Sequence, residues 1–115
     1  MSIKRLEPGA RMSQAVIANG FVFLAGQVAP DPSGSVVSQT RQVLGEIDRL
    51  LAAAGSSKER IVSATIYLAD MDSFGEMNKA WESWVPPDAK PARATVEAKL
   101  VSSEYRVEIQ VTALL

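Results

Sequence analysis

Near the C-terminal end of the chain, apolar and polar residues alternate one for one. Ala92, Ala94, Val96 and Ala98 alternate with Arg93, Thr95, Glu97 and Lys99. After a short connection, Val107, Ile109, Val111 and Ala113 alternate with Arg106, Glu108, Gln110 and Thr112. Successive side chains of a strand point to opposite faces, so each run predicts a strand with one apolar and one polar face. The candidate chemistry falls on the polar set, with Arg93 at its centre. Further upstream, Ile3 to Leu6 predicts a short edge strand broken by Pro8-Gly9. Gln14 to Ala18 predicts a second strand, Asn19-Gly20 a tight hairpin turn, and Phe21 to Ala25 a third strand. This third strand is apolar on both faces, with Phe21, Phe23 and Ala25 on one and Val22 and Leu24 on the other, so it calls for cover on both. Ile61 to Leu68 predicts a fourth strand, with Val62, Ala64, Ile66 and Leu68 as its apolar set and Ser63, Thr65 and Tyr67 opposite.

Two stretches carry a helical period instead. Val43, Leu44, Ile47, Leu50, Leu51 and Ala54 form one apolar stripe, with Ser38 as the expected N-cap and Gly55 just past the end. Gly45 costs helix propensity within it. Ser73-Phe74-Gly75-Glu76 fits a capping box, and Phe74, Met77, Trp81 and Trp84 follow at helical spacing. An aromatic stripe of this kind reads as core, and Pro86-Pro87 ends the helix. Between the third strand and the first helix, Gly26 to Ser35 reads equally well as a surface connection or a pocket wall. The order is therefore β-β-β-α-β-α-β-β. Strand–helix–strand crossovers are right-handed, so two crossovers running the same way place both helices on one face. The expected architecture is an α/β (α+β) two-layer sandwich with the other face of the sheet bare. A third strand apolar on both faces implies that other copies of the chain cover that face.

A chain of 115 residues, 47% hydrophobic and 22% charged, is expected to form a single domain spanning residues 1–115. It contains no cysteine and no histidine, which removes thiolate and imidazole chemistry and the commonest metal ligands. The expected chemistry needs no metal and no cofactor; it rests on carboxylates, Arg, Lys, Tyr, hydroxyls, backbone groups and water. The net charge is −1 and no basic run is present, so no nucleic-acid partner is expected. The opening MSIKRLEPGARM has no apolar signal core, and no apolar run approaches the roughly 20 residues of a membrane span. The expected location is cytoplasmic, with no membrane partner.

On residue type alone, Arg93 fits either a carboxylate-binding fork or a structural strand arginine, paired to Glu97 or Glu108 or left to solvent. Glu108 reads as a charged residue on a solvated strand face. Glu97 reads as structural. Pro91-Ala92-Arg93-Ala94-Thr95-Val96-Glu97 and Val107-Glu108-Ile109 resemble the C-terminal signature of the Rid family of reactive intermediate deaminases, also called the YjgF family. Ser13-Gln14-Ala15-Val16, Gly26-Gln27-Val28 and Thr65-Ile66-Tyr67-Leu68-Ala69-Asp70 fall in the same order and spacing, so the resemblance covers nearly the whole chain.

The resemblance implies a chorismate-mutase-like fold with a six-stranded mixed sheet, assembled as a homotrimer with ligand sites in the clefts between subunits. It implies cofactor-free hydrolysis of reactive enamines and imines, such as 2-aminoacrylate, to 2-keto acids and ammonia. By that resemblance Arg93 is the arginine for the carboxylate of a small imino or keto acid, and Glu108 helps orient the hydrolytic water. Backbone groups around Gly26 and Gln27 and from Ala92 to Thr95 help to position the reactants. The family's best-known members have tyrosine at Met12, serine at Ala25 and cysteine at Thr95, so the pocket lining departs while the anchor and the acid stay. A non-catalytic trimeric binding module for small keto or amino acids is the alternative. An endoribonuclease or translation inhibitor ranks below both, given the charge and the missing histidine.

Overall fold

The computed structural model describes residues 2–115. Its strands are β1 (Ile3–Pro8), β2 (Ser13–Ala18), β3 (Phe21–Leu24), β4 (Ile61–Leu68), β5 (Ala92–Glu97) and β6 (Val107–Leu114). Its α-helices are α1 (Val36–Ala54) and α2 (Phe74–Trp84). The strands form one six-stranded sheet in the order β1-β2-β3-β6-β4-β5. Every neighbouring pair is antiparallel except β4 and β5, so the sheet is mixed, as expected. From β3 through α1 to β4, and from β4 through α2 to β5, the chain steps twice in the same direction across the sheet. Both helices consequently lie on one face, and they pack on each other.

The α1 stripe is buried as its period predicts, with Val43, Ile47, Leu50 and Leu51 fully inaccessible. They meet Val22, Ile66, Ile109 and Val111 from the sheet in one core. The start of α1 differs from expectation. Ser35, not Ser38, is the cap: its hydroxyl accepts from the Ser38 N–H at 3.1 Å. The stripe runs one turn further back, through buried Thr40 and Val36, so Ser38 already lies inside the helix. Gly55 ends α1 in the left-handed region at φ 87°. The Gly55 N–H donates to Ala52 O and the Ser56 N–H to Leu51 O, closing a Schellman motif. A methyl group at Gly45 would meet open space, so close packing does not explain that glycine.

The expected capping box at Ser73 does not form. A 3-10 turn, Met71–Ser73, leads into α2, and the Asp70 carboxylate caps that turn by accepting from the Asp72 N–H at 2.9 Å. Ser73 is already curved (φ −82°, ψ 1°), so its hydroxyl does not reach forward to the helix amides. It accepts from Arg106 Nη2 at 3.4 Å instead. In β4, a bulge between Ile61 and Ser63 turns Ile61 into the core and leaves Val62 41% exposed, although Val62 was expected inside.

The phase of β5 also reverses expectation. Its register pairs Arg93 with Ala64, Thr95 with Ile66 and Glu97 with Leu68, which places all three on the helix side of the sheet. Ala92, Ala94 and Val96 point to the bare face and are exposed. In β6 the apolar set Val107, Ile109, Val111 and Ala113 is buried on the helix side, as expected. The two alternating runs are thus out of phase: the polar side of one shares a face with the apolar side of the other. β5 is an edge strand, and its helix-side positions lie beside α2 at the rim of the core, where an arginine fits. The bare face carries Phe23, 42% exposed, together with Val62 and Val96. Among the described residues no helix is long and apolar enough to cross a membrane.

Candidate functional site

Arg93 reaches from the middle of β5 toward α2 and is half-buried there. Its Nη1 donates to Asn78 Oδ1 at 2.8 Å. Its guanidinium carbon lies 5.3 Å from the Trp81 ring centroid and 5.9 Å from that of Phe74. Phe74, Asn78 and Trp81 follow one another on α2 at offsets of four and three, so a single helix face presents all three to Arg93. Burial lowers the Arg93 pKa from its ordinary value, and the negative charge of Glu82 partly offsets this. Arginine keeps its charge through such shifts. Among the described residues the ion pairs are those of Arg49 with Glu7 and Glu46, so neither Glu97 nor Glu108 pairs with Arg93. Glu97 is occupied elsewhere: its carboxylate accepts from the Met71 N–H at 2.9 Å. Among the described residues, four of the five guanidinium N–H donors thus find no partner.

Thr95 lies two residues along the same face, and its Oγ1 is buried without a hydrogen-bond partner. Beside Arg93 a groove of about 590 Å³ opens, lined by Trp81, Glu82, Val85, Pro87 and Lys90.

The other expected site residues gather elsewhere. Glu108 pairs with Tyr67 across the β4–β6 ladder, on the face away from the helices. Its carboxylate lies across Gly26, where a methyl group would fall onto it. Absence of a side chain, rather than unusual backbone conformation, is what Gly26 supplies here. Gln27 and Ile109 exchange both backbone hydrogen bonds, at 2.8 and 3.0 Å, which fixes the Gly26–Gln27 segment against β6. The Ala25 N–H donates to Gln14 O at 2.9 Å, so the chain stays beside β2 although β3 ends at Leu24, one residue short of expectation. Gln27 Nε2 donates to Gln14 Oε1 at 2.9 Å and to Ala25 O at 3.0 Å. Met12, 49% exposed, leads into β2 at this same end of the sheet.

The sequence-predicted residues therefore form two groups, not the single polar face expected. Arg93 and Thr95 stand on the helix side of the edge strand. Glu108, Gly26, Gln27, Ala25 and Met12 stand at one end of the central strands, with Glu108 on the bare face. Ala64 pairs with both Arg93 and Val111, which places Glu108 two strands across and three residues along from Arg93. Strand spacing and rise put their backbones about 14 Å apart, on opposite faces. One chain does not bring them onto one small ligand.

Sequence reasoning missed Asn78, and it assigned Phe74 and Trp81 to the core alone. Asn78 sits one residue past Met77 on a helix whose other face is buried. Only the pairing of α2 with β5 reveals its role. Among the described residues no cluster of acids could hold a metal ion.

Sheet, helices and these side chains define a class: an α+β domain that presents a half-buried, unpaired guanidinium and a separately held carboxylate, with no thiol or imidazole. The sequence pattern of the family described as Endoribonuclease L-PSP matches residues 2–115. A RutC family protein of Haemophilus influenzae is 45% identical over 115 residues, covering 98% of each chain. The RutC family protein YoaB of Escherichia coli K12 is 41% identical over 113 residues, again covering 98% of each. The crystal structure of a YjgF family member from Neisseria meningitidis superposes with a TM-score of 0.96 at 46% identity, over 99% of this chain and 95% of that one. A Rid family protein from Yersinia pestis superposes with a TM-score of 0.92 at 29% identity, over 99% of this chain and 100% of that one. The chain belongs to this family, whose members carry the names RutC, YjgF and Rid.

Proposed function

We propose that the protein is a cofactor-free enamine and imine deaminase acting on small carboxylate-bearing imino acids. The observation that carries this reading is Arg93, half-buried between two aromatic rings, held by one neutral amide and otherwise unpaired. A buried guanidinium without a counter-charge is costly unless a ligand supplies one. Its planar fork matches a carboxylate.

The acid is Glu108. Its distance from Arg93 in one chain requires that a second copy bring its own Glu108, with Gly26 and Gln27, to the first copy's β5. A cyclic trimer completes three such sites and covers Phe23, Val62 and Val96 on the bare faces. In each site the carboxylate of the imino acid binds Arg93. Glu108 accepts a proton from water as the water oxygen adds to the C=N carbon, and returns a proton to nitrogen. Glu108 then takes the hydroxyl proton and passes it to nitrogen as the C–N bond breaks with nitrogen keeping the electron pair, so ammonia leaves and the carbonyl of the 2-keto acid forms.

The decisive experiment measures 2-oxobutanoate binding and ammonia release on Arg93→Ala and Arg93→Lys. Each charge-assisted hydrogen bond contributes on the order of 1.5–3 kcal/mol, so Arg93→Ala should weaken binding by about a hundredfold or more, with the melting temperature little changed. Lysine keeps the charge but not the fork and should rescue poorly. Unchanged binding would remove the deaminase reading.

A second reading, a trimeric binding module that does not turn its ligand over, draws support from Met12 and Ala25, which bring no hydroxyl to the acid group. Ligand binding without ammonia release would favour it. The nuclease named in the family description has less support here, because the chain has net charge −1 and no histidine. The soluble, cytoplasmic setting expected from the sequence suits a substrate formed and consumed in the same compartment.

A further inference from the structure

Gln39 is a polar side chain in the core phase of α1, and only 1% of it is exposed. Its carboxamide uses both ends. Nε2 donates to Pro32 O at 2.7 Å and to Glu104 O at 3.0 Å, with Gly34 O at 3.5 Å. Oε1 accepts from the Arg106 N–H at 2.9 Å. One amide thus ties α1 to the loop that leads into it and to a segment remote in sequence. The first is the Gly26 to Ser35 loop, which opens with the glycine under Glu108 and with Gln27, bonded to Ile109. The second is the connection after β5, caught at Glu104 and Arg106, immediately before the β6 residues Val107 and Glu108. A buried amide with both N–H donors and its oxygen engaged holds a geometry that an apolar side chain of the same size cannot.

We infer that Gln39 is a positioning residue for the acid half of the site: it sets the register between the Gly26–Gln27 segment and the start of β6, and so fixes where the Glu108 carboxylate points. It touches neither ligand nor reacting atoms. The inference rests on the deaminase reading only where turnover is concerned, since its structural content concerns the Gly26–Gln27–Glu108 geometry itself.

The test uses Gln39→Leu, close in volume but without hydrogen bonds, and Gln39→Glu, which keeps an acceptor for the Arg106 N–H but when ionised donates nothing to Pro32 O or Glu104 O. Native-state hydrogen exchange is read at the Gln27 and Ile109 amides and, as an internal control, at the Ile66 amide in β4. Both variants should exchange at least tenfold faster at Gln27 and Ile109, with Ile66 within twofold of wild type. Equal acceleration at all three amides would mean general destabilisation, and no change at any of them would mean a spectator; either overturns the inference. In turnover, kcat for ammonia release should fall at least tenfold while 2-oxobutanoate affinity, set by Arg93, stays within twofold. Affinity and kcat falling together would overturn it as well. A wild-type protein that releases no ammonia would condemn the deaminase reading, and the exchange measurement would still decide the role of Gln39.

Discussion

Arg93 and Glu108 stand on opposite faces of one sheet, on strands separated by β4. A sheet does not turn inside out, so a site using both draws them from different copies of the chain. This predicts complementation. In the proposed trimer, the Arg93→Ala and Glu108→Gln variants should each be inactive on their own. Unfolding and reassembling an equal mixture should restore activity, because some interfaces unite the intact Arg93 of one variant with the intact Glu108 of the other. Random assembly gives about a quarter of the wild-type sites. Ammonia release from the mixture reads the outcome, and a mixture as dead as its parents would place the working pair within one chain.

Gly26 should be intolerant for a reason local to the site. A methyl group there displaces the Glu108 carboxylate, which is the flexible end of a side chain and can swing away. Gly26→Ala is expected to lower ammonia release at least tenfold while costing no more than about 1 kcal/mol of stability, in the ordinary range for a substitution whose neighbour can move. Thermal melts and turnover on the same preparation check both halves of the statement.

The two serines before the helices should behave differently. Ser35 caps α1 with its hydroxyl, so Ser35→Ala should cost about 1 kcal/mol. Ser73 caps nothing and makes one long contact to an exposed guanidinium, so Ser73→Ala should cost about 0.5 kcal/mol or less. Urea unfolding of both variants gives the ordering, and a larger loss at Ser73 would contradict the 3-10 lead-in to α2.

Arg49 lies between two carboxylates, and its Nη1 donates to Glu7 Oε2 at 2.7 Å. That hydrogen bond holds the Glu7 pKa below its ordinary value. A carboxylate with a depressed folded-state pKa contributes stability that is fully present above its unfolded pKa and lost as pH falls through the folded one. Wild type should therefore melt slightly above Glu7→Gln at neutral pH. The two melting curves should converge as the solution becomes acidic enough to protonate Glu7. The pair is exposed, so about 1 M salt should shrink the difference as well.

Much of this architecture is legible in the sequence. The α1 stripe has a clear 3.6 period and a glycine at its end, and every stripe residue is buried. The phase of β5 was not legible, because alternation reveals that a strand has two faces and not which one the helices cover. Apolar residues mark the covered face in a central strand such as β6. In an edge strand beside a short helix the covered position can hold Arg93, while Ala92 and Ala94 look outward. Ser35 and Ser38 are both plausible caps by residue type, and the buried Val36 decides between them. Gln39 did leave a signal: it lies four residues before Val43, in the phase of the core. A polar residue in that phase needs buried partners, but two of them, Glu104 and Arg106, come from a distant connection that no local pattern links to it.

The neutral partner of Arg93 has one more consequence. Asn78 steadies the guanidinium without cancelling its charge. Under the proposed reading, small anions of the medium such as acetate, formate, bicarbonate or chloride should compete with the substrate carboxylate for Arg93. The keto-acid affinity measured in that case should weaken as the carboxylate concentration of the buffer rises.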